Sequence, residues 1–124
     1  VRGIANIIAC DIHPLNNLAV LNYIKAEFGV DTDAVNGWYR YWVKQGFDGV
    51  ELILARSAET GTFCHGDVPG LADICLVPQV FNAQRFDCDL SGYPTIMRIN
   101  DACLKLDAVE RALPGNQPEA AGIA

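Results

Sequence analysis

The sequence predicts an all-α fold, a helical bundle of about five helices. Three observations carry this reading. Apolar residues recur at intervals of three and four, no stretch sustains the alternation of a strand, and Gly29, Pro69, Gly70 and Pro94 punctuate the periodic segments. The first helix is expected from Val1 or before to about Phe28, with Ile4, Ile8, Ile12, Leu15 and Leu18 inward, a kink from Pro14 and a stop at Gly29. A second long helix should start around Thr32 to Asp33 and reach about Arg56, carrying Trp38, Trp42, Phe47, Val50, Ile53 and Leu54, with Gly46 and Gly49 permitting close helix contact. The loop SAETGTFCHGDVPG leads into a buried helix that starts near Gly70 and carries Leu71, Ile74, Cys75, Val77 and Val80. Asp73, three positions after Gly70, suits the exposed N–H groups and positive dipole end of that first turn, so its role reads as structural. Pro94 opens a helix over Thr95 to about Leu106, and Asp107 to Leu113 adds a short turn or helix. Residues 1–113 form the domain, and 114–124 a loosely held tail.

About half of the residues are hydrophobic, enough for one core burying roughly two-thirds of the unfolded chain's surface. The net charge of −6 lacks the basic footprint that nucleic acid or an anionic membrane requires, so small molecules or protein partners are expected. The opening run with Ile4, Ile7 and Ile8 is interrupted by Asn6, Asp11 and His13, which argues against a membrane span or a signal peptide and makes a cytoplasmic location the default. Five cysteines without a CxxC pair suit reduced thiols, Cys75 and Cys103 as core residues especially. Cys10 with His13 and Cys64 with His65 can be drawn as four metal ligands, but the first pair sits on an apolar helix rather than a compact loop, and no metal is expected.

Two polar features stand out. His13, Asn16 and Asn17 fall at spacings of three and four, on one helical face beside Pro14; they form either a ligand-binding patch or a set of capping and kink hydrogen bonds. Arg85 leaves an apolar helix and can hold a carboxylate through two parallel hydrogen bonds, or pair with Asp87 or Asp89. The amides of Gln79 and Asn82 are read as structural.

The segment VPQVFNAQRF, with LADICL before it and SGYPTIMRI after it, resembles the C-terminal domain of zeta-class glutathione transferases, which include maleylacetoacetate and maleylpyruvate isomerases. DIHPLNNLAVLNYI resembles the first helix of that domain and LPGNQPEA its tail, so the similarity spans nearly the whole chain. The resemblance implies glutathione as cofactor, with His13, Asn16 and Asn17 as cofactor contacts and Arg85 and His13 as substrate contacts. It implies cis–trans isomerisation of a dicarboxylic oxo acid by thiol addition, bond rotation and elimination. It also implies two partners, an N-terminal thioredoxin-like domain carrying the thiol-activating residues and a second subunit in a homodimer. No catalytic residue is expected within this chain, which should be inactive alone, and Val1 at the start suggests a fragment of a longer parent.

Ala19 departs from the family pattern, since many bacterial members carry arginine within an NNLRVL motif. That leaves open glutathione conjugation or haloacid dehalogenation in the parent, or a stand-alone helical module for protein interaction.

Overall fold

A computed structural model describes residues 1–118 and 120. Among the described residues all regular structure is helical. The first rod, α1, is composite: Arg2–Asn6 is α-helical, Ile7–Ile12 is a π-helix and His13–Asn16 is α-helical again. Then follow α2 (Leu18–Phe28), α3 (Thr32–Arg56), α4 (Leu71–Arg85), α5 (Pro94–Leu104) and the short α6 (Asp107–Ala112). The four main packing partners form a ring in the order α1, α3, α5, α4, so α3 and α4 face each other across the bundle.

Pro14 shapes α1. It has no N–H to return to the carbonyl four residues back, and its ring crowds that carbonyl, so the ladder widens ahead of it and the His13 N–H bonds the Ile8 carbonyl, five residues back. The expected continuous helix to Phe28 is broken, and the break falls at Asn17 rather than Pro14. Asn17 is extended (φ −71°, ψ 158°), and its side-chain oxygen accepts from the Val20 N–H at 3.1 Å. An asparagine that caps a new helix competes with continuing the old one. Arg2–Phe28 has the length and hydropathy of a membrane span, unlike the opening run considered alone, yet Ile4, Ile8, Ile12 and Leu21 pack into the core and the break interrupts the rod.

Elsewhere the boundaries follow local chemistry. Gly29 ends α2 in the left-handed region at φ 62°, Asp31 caps α3 by accepting from the Ala34 N–H at 2.9 Å, and α3 covers the expected residues. A Cβ on Gly46 would overlap the fully buried Ile12 side chain, so glycine there lets α1 approach α3; Gly49 faces open space and has no such role. The start of α5 borrows its cap from α3, because Glu51 accepts the N–H groups of Thr95 and Ile96, each at 2.9 Å.

The core is built from Val35, Tyr39, Val43, Phe47, Val50 and Leu54 of α3, Leu76 and Val80 of α4, and Ile96, Ile99 and Cys103 of α5. Leu18, Ile53, Leu71 and Ile74, expected inward, are instead exposed, Leu18 and Ile74 by 71% and 70%. Cys103 is buried, as is Cys64, while Cys75 is half-buried. Just after α6, Pro114–Asn116 makes a 3-10 turn, and the Asn116 and Gln117 amides donate to the Glu110 and Arg111 carbonyls, each at 2.7 Å. The expected loose tail is therefore tied down where it begins; positions 119 and 121–124 lie outside the described residues.

The α4 start is organised by Asp73, which is 3% exposed. One carboxylate oxygen accepts from the Gly70 N–H at 2.8 Å and the other from the Cys64 N–H at 2.9 Å. Gly70 has no side chain to return the favour, so the capping box is half-formed. Its backbone is extended, and a Cβ would meet only the Asp73 carboxylate at an ordinary 3.9 Å. Gly70→Ser should therefore stabilise the chain by about 0.5–1 kcal/mol, from the added cap and the stiffer unfolded chain, and raise the melting temperature by a few degrees in calorimetry. Asp73→Ala should cost about 2–4 kcal/mol, since it leaves two amides of the loop and helix start without acceptors. A loss below ~1 kcal/mol in urea titration would show that neither bond matters.

Candidate functional site

Asn17 and Arg85 mark two places where a helix stops. At the first, the Asn17 amide works on the main chain in both directions. Its nitrogen donates to the Pro14 carbonyl at 2.8 Å while its oxygen caps Val20. Asn17 is half-buried and retains one N–H and one lone pair for other partners. Asn16 turns inward: it is buried, its nitrogen donates to the Tyr39 carbonyl at 3.3 Å, and its side-chain oxygen has no partner. His13 is exposed on the α-helical turn before the break, and its imidazole makes no hydrogen bond among the described residues. The three residues expected on one continuous helical face thus point to different surroundings, because the helix ends between Asn16 and Asn17.

At the second place, α4 closes with a left-handed residue. Asp87 has φ 53°, its N–H bonds the Gln84 carbonyl at 3.1 Å, and the Cys88 N–H bonds the Ala83 carbonyl at 2.9 Å. This is a Schellman closure with aspartate where glycine is usual. It stops the helix directly after Arg85 and Phe86. The Arg85 guanidinium is exposed and lies 5.9 Å from the centre of the Phe81 ring. Neither expected partner holds it, since Asp87 faces Arg40 at 3.9 Å and Asp89 accepts from the Ser91 N–H. Among the described residues Arg85 has no ion pair. Phe81 also lines an apolar cleft of about 410 Å³ with Ile74, Val77, Pro78, Val109 and Leu113.

Tyr39 of α3 went unremarked in the sequence, where it reads as one more core aromatic. Its ring stacks on Phe86 at 3.7 Å between centroids and 3° between planes. Burial pushes its phenol above the usual value, with Cys88 adding to the rise and the Arg85 charge and the nearby Gln79 amide partly offsetting it. Gln79 is buried with its side-chain nitrogen unpaired among the described residues, and Asn82 is half-buried with its main-chain carbonyl accepting the Phe86 N–H. Among the described residues no group of three or more His, Cys, Asp or Glu side chains has the geometry to hold a metal.

No family model matches the chain. A maleylpyruvate isomerase from a Ralstonia species is 47% identical over 121 residues, covering 98% of this chain and 57% of that protein. A probable maleylacetoacetate isomerase from Vibrio cholerae is 48% identical, over 97% of this chain and 55% of its own length. A holo structure of maleylpyruvate isomerase, described as a bacterial glutathione S-transferase of the zeta class, superposes with TM-score 0.93 at 47% identity over 95% of this chain and 56% of that one. The chain belongs to the zeta-class glutathione transferases. It corresponds to their C-terminal helical part and spans a little over half the length of these relatives. A further neighbour, the maleylacetoacetate isomerase of Methylobacterium extorquens, has TM-score 0.91 at 36% identity over 95% of this chain and 55% of its own, and holds malonate and glutathione.

Because Asn17 both closes α1 and opens α2, Asn17→Ala should lower stability by about 1 kcal/mol and loosen the Val20 amide. Hydrogen exchange at Val20 that stays as slow as in the wild type would remove the capping role.

Proposed function

We propose that this chain is the helical, substrate-side half of a glutathione-dependent cis–trans isomerase acting on maleylacetoacetate or maleylpyruvate, and that it is inactive without a thiol-binding half. The observation that carries the reading is Arg85, an exposed guanidinium over the Phe81 ring with no carboxylate partner among the described residues, in a chain whose relatives are isomerases of maleyl diacids. A structural neighbour with malonate and glutathione bound supports a diacid beside the cofactor.

Glutathione, when bound, supplies the thiol that adds to the cis double bond and leaves again. The chain's own residues bind and orient. Arg85 holds one substrate carboxylate by paired, charge-assisted hydrogen bonds. His13, whose imidazole has no partner among the described residues, and Asn17, with one N–H and one lone pair left over from its main-chain bonds, suit the polar groups of glutathione, and His13 also the substrate. Asn16, buried and with its amide turned toward Tyr39, serves the cofactor contact by holding the turn that presents His13 and Asn17. A cytoplasmic homodimer joined to a thioredoxin-like domain completes the reading. A second reading, glutathione conjugation or haloacid dehalogenation, is favoured by one observation: Ala19 is exposed and brings no second cation to a diacid.

The test is glutathione-dependent turnover of maleylpyruvate by the native-length protein. Arg85→Leu should raise KM for the diacid by roughly 10–100-fold, the range expected for losing a charged hydrogen-bonding partner, and leave KM for glutathione unchanged. Ala19→Arg should lower the diacid KM. Turnover of chloroacetate without isomerisation would replace the first reading with the second.

A further inference from the structure

We propose that Trp38, Tyr39 and Arg40, three consecutive residues of α3, form a positioning clasp that sets Arg85 relative to the turn at Asn16 and Asn17. The proposal rests on the functional reading of Arg85 above and adds residues that do not themselves touch the ligand. Consecutive helical residues point about 100° apart, so three in a row can engage two elements on different sides. That is what these three do. The Trp38 indole donates to the Leu15 carbonyl at 2.8 Å, and the Tyr39 carbonyl accepts from the Asn16 amide at 3.3 Å. Both bonds seize the last residues of α1, next to Asn17. On the other side, the Tyr39 ring lies flat on Phe86, and the Arg40 Nε donates to the Phe86 carbonyl at 2.6 Å.

Phe86 is therefore held by ring and by main chain, one residue after Arg85. This matters because α3 and α4 face each other across the bundle rather than packing side by side. Among the described residues Arg85 has no ion pair to fix it, and its guanidinium lies over the Phe81 ring. Its backbone direction follows from where Phe86 sits. Asp87, in its left-handed conformation, closes the helix from the far side and pairs with Arg40, so the Arg40 guanidinium spans both residues of the helix exit. The clasp thus joins the two helix ends that carry the candidate ligand contacts, and it sets the spacing across which a diacid would be held between them.

The experiment compares Tyr39→Leu, Tyr39→Phe and Arg40→Met in the native-length protein, each alone and with Arg85→Leu. Tyr39→Leu should raise the diacid KM about tenfold while kcat and the glutathione KM stay within about twofold. Tyr39→Phe, which keeps the stacked ring and the carbonyl, should behave as the wild type. Adding Tyr39→Leu to Arg85→Leu should cost nothing further, because a positioning residue has nothing left to position. Independent, multiplying effects, or an unchanged diacid KM in Tyr39→Leu, would overturn the clasp. If Tyr39→Leu does not fold, Arg40→Met carries the test, with a rise of roughly threefold in diacid KM expected and no change overturning. A wild-type protein with no isomerase activity would overturn the functional reading instead. The clasp is then read from the Arg85 Nε resonance by NMR relaxation, where added mobility in Tyr39→Leu supports it and unchanged mobility overturns it.

Discussion

A single buried carboxylate governs how this bundle is assembled. Asp73 sits in the core with almost no water contact, and a charge in that position is tolerable only when its lone pairs are filled. The loop and the helix start fill them through Cys64 and Gly70, so the connection after α3 is pinned to the first turn of α4. The same charge acts on two thiols. Burial, then the bond to Asp73, push the Cys64 thiol well above its usual range, and burial with the Asp73 charge raises Cys103 to about 11. Both remain protonated near neutral pH and serve as small apolar filling rather than nucleophiles. With its start pinned, α4 runs its 15 residues, roughly 22 Å, through the core and delivers Arg85 at the other end.

The opposite end of the bundle is governed by a missing donor. Pro14 denies α1 one rung of its ladder, a π-helical segment absorbs the mismatch, and the chain then stops and restarts at Asn17. A break in a buried rod exposes main-chain groups that must be satisfied, and here the indole of Trp38 and the amide of Asn17 take the Leu15 and Pro14 carbonyls. Wide turns and unpaired helix ends are weak in stability but well placed to face a ligand. His13 emerges from this region without a polar partner among the described residues, as Arg85 does from the other helix end.

How far this was legible depends on the range of the interactions. Gly29 ending a helix and Asp73 at the opening of α4 are local, and the sequence shows them directly, whereas the Asp31 cap of α3 went unread although it too is local. The break at Asn17 was within reach, since an asparagine pair just after a proline is a stop and a new N-cap in one. Periodicity misplaced Leu18, Ile53, Leu71 and Ile74, because an apolar face says only that a surface is water-averse and not which neighbour covers it. The clasp was out of reach. Arg40 and Phe86 are 46 residues apart, and nothing in the local pattern distinguishes Trp38 and Tyr39 from ordinary core aromatics.

The distribution of satisfied and unsatisfied polar groups separates scaffold from site. Glu51, Asp73, Asn17 and Arg40 each spend their polar atoms on main-chain groups of another turn or helix, and removing any of them strands a partner. Arg85 and His13 bond nothing in this way, so the fold gains little from their polarity. A guanidinium kept exposed and unpaired, while its neighbour Phe86 is held on two sides, is a group whose position is specified more tightly than its contacts require. That asymmetry is what a binding residue needs, because a carboxylate can be met in one geometry without first breaking a bond inside the protein.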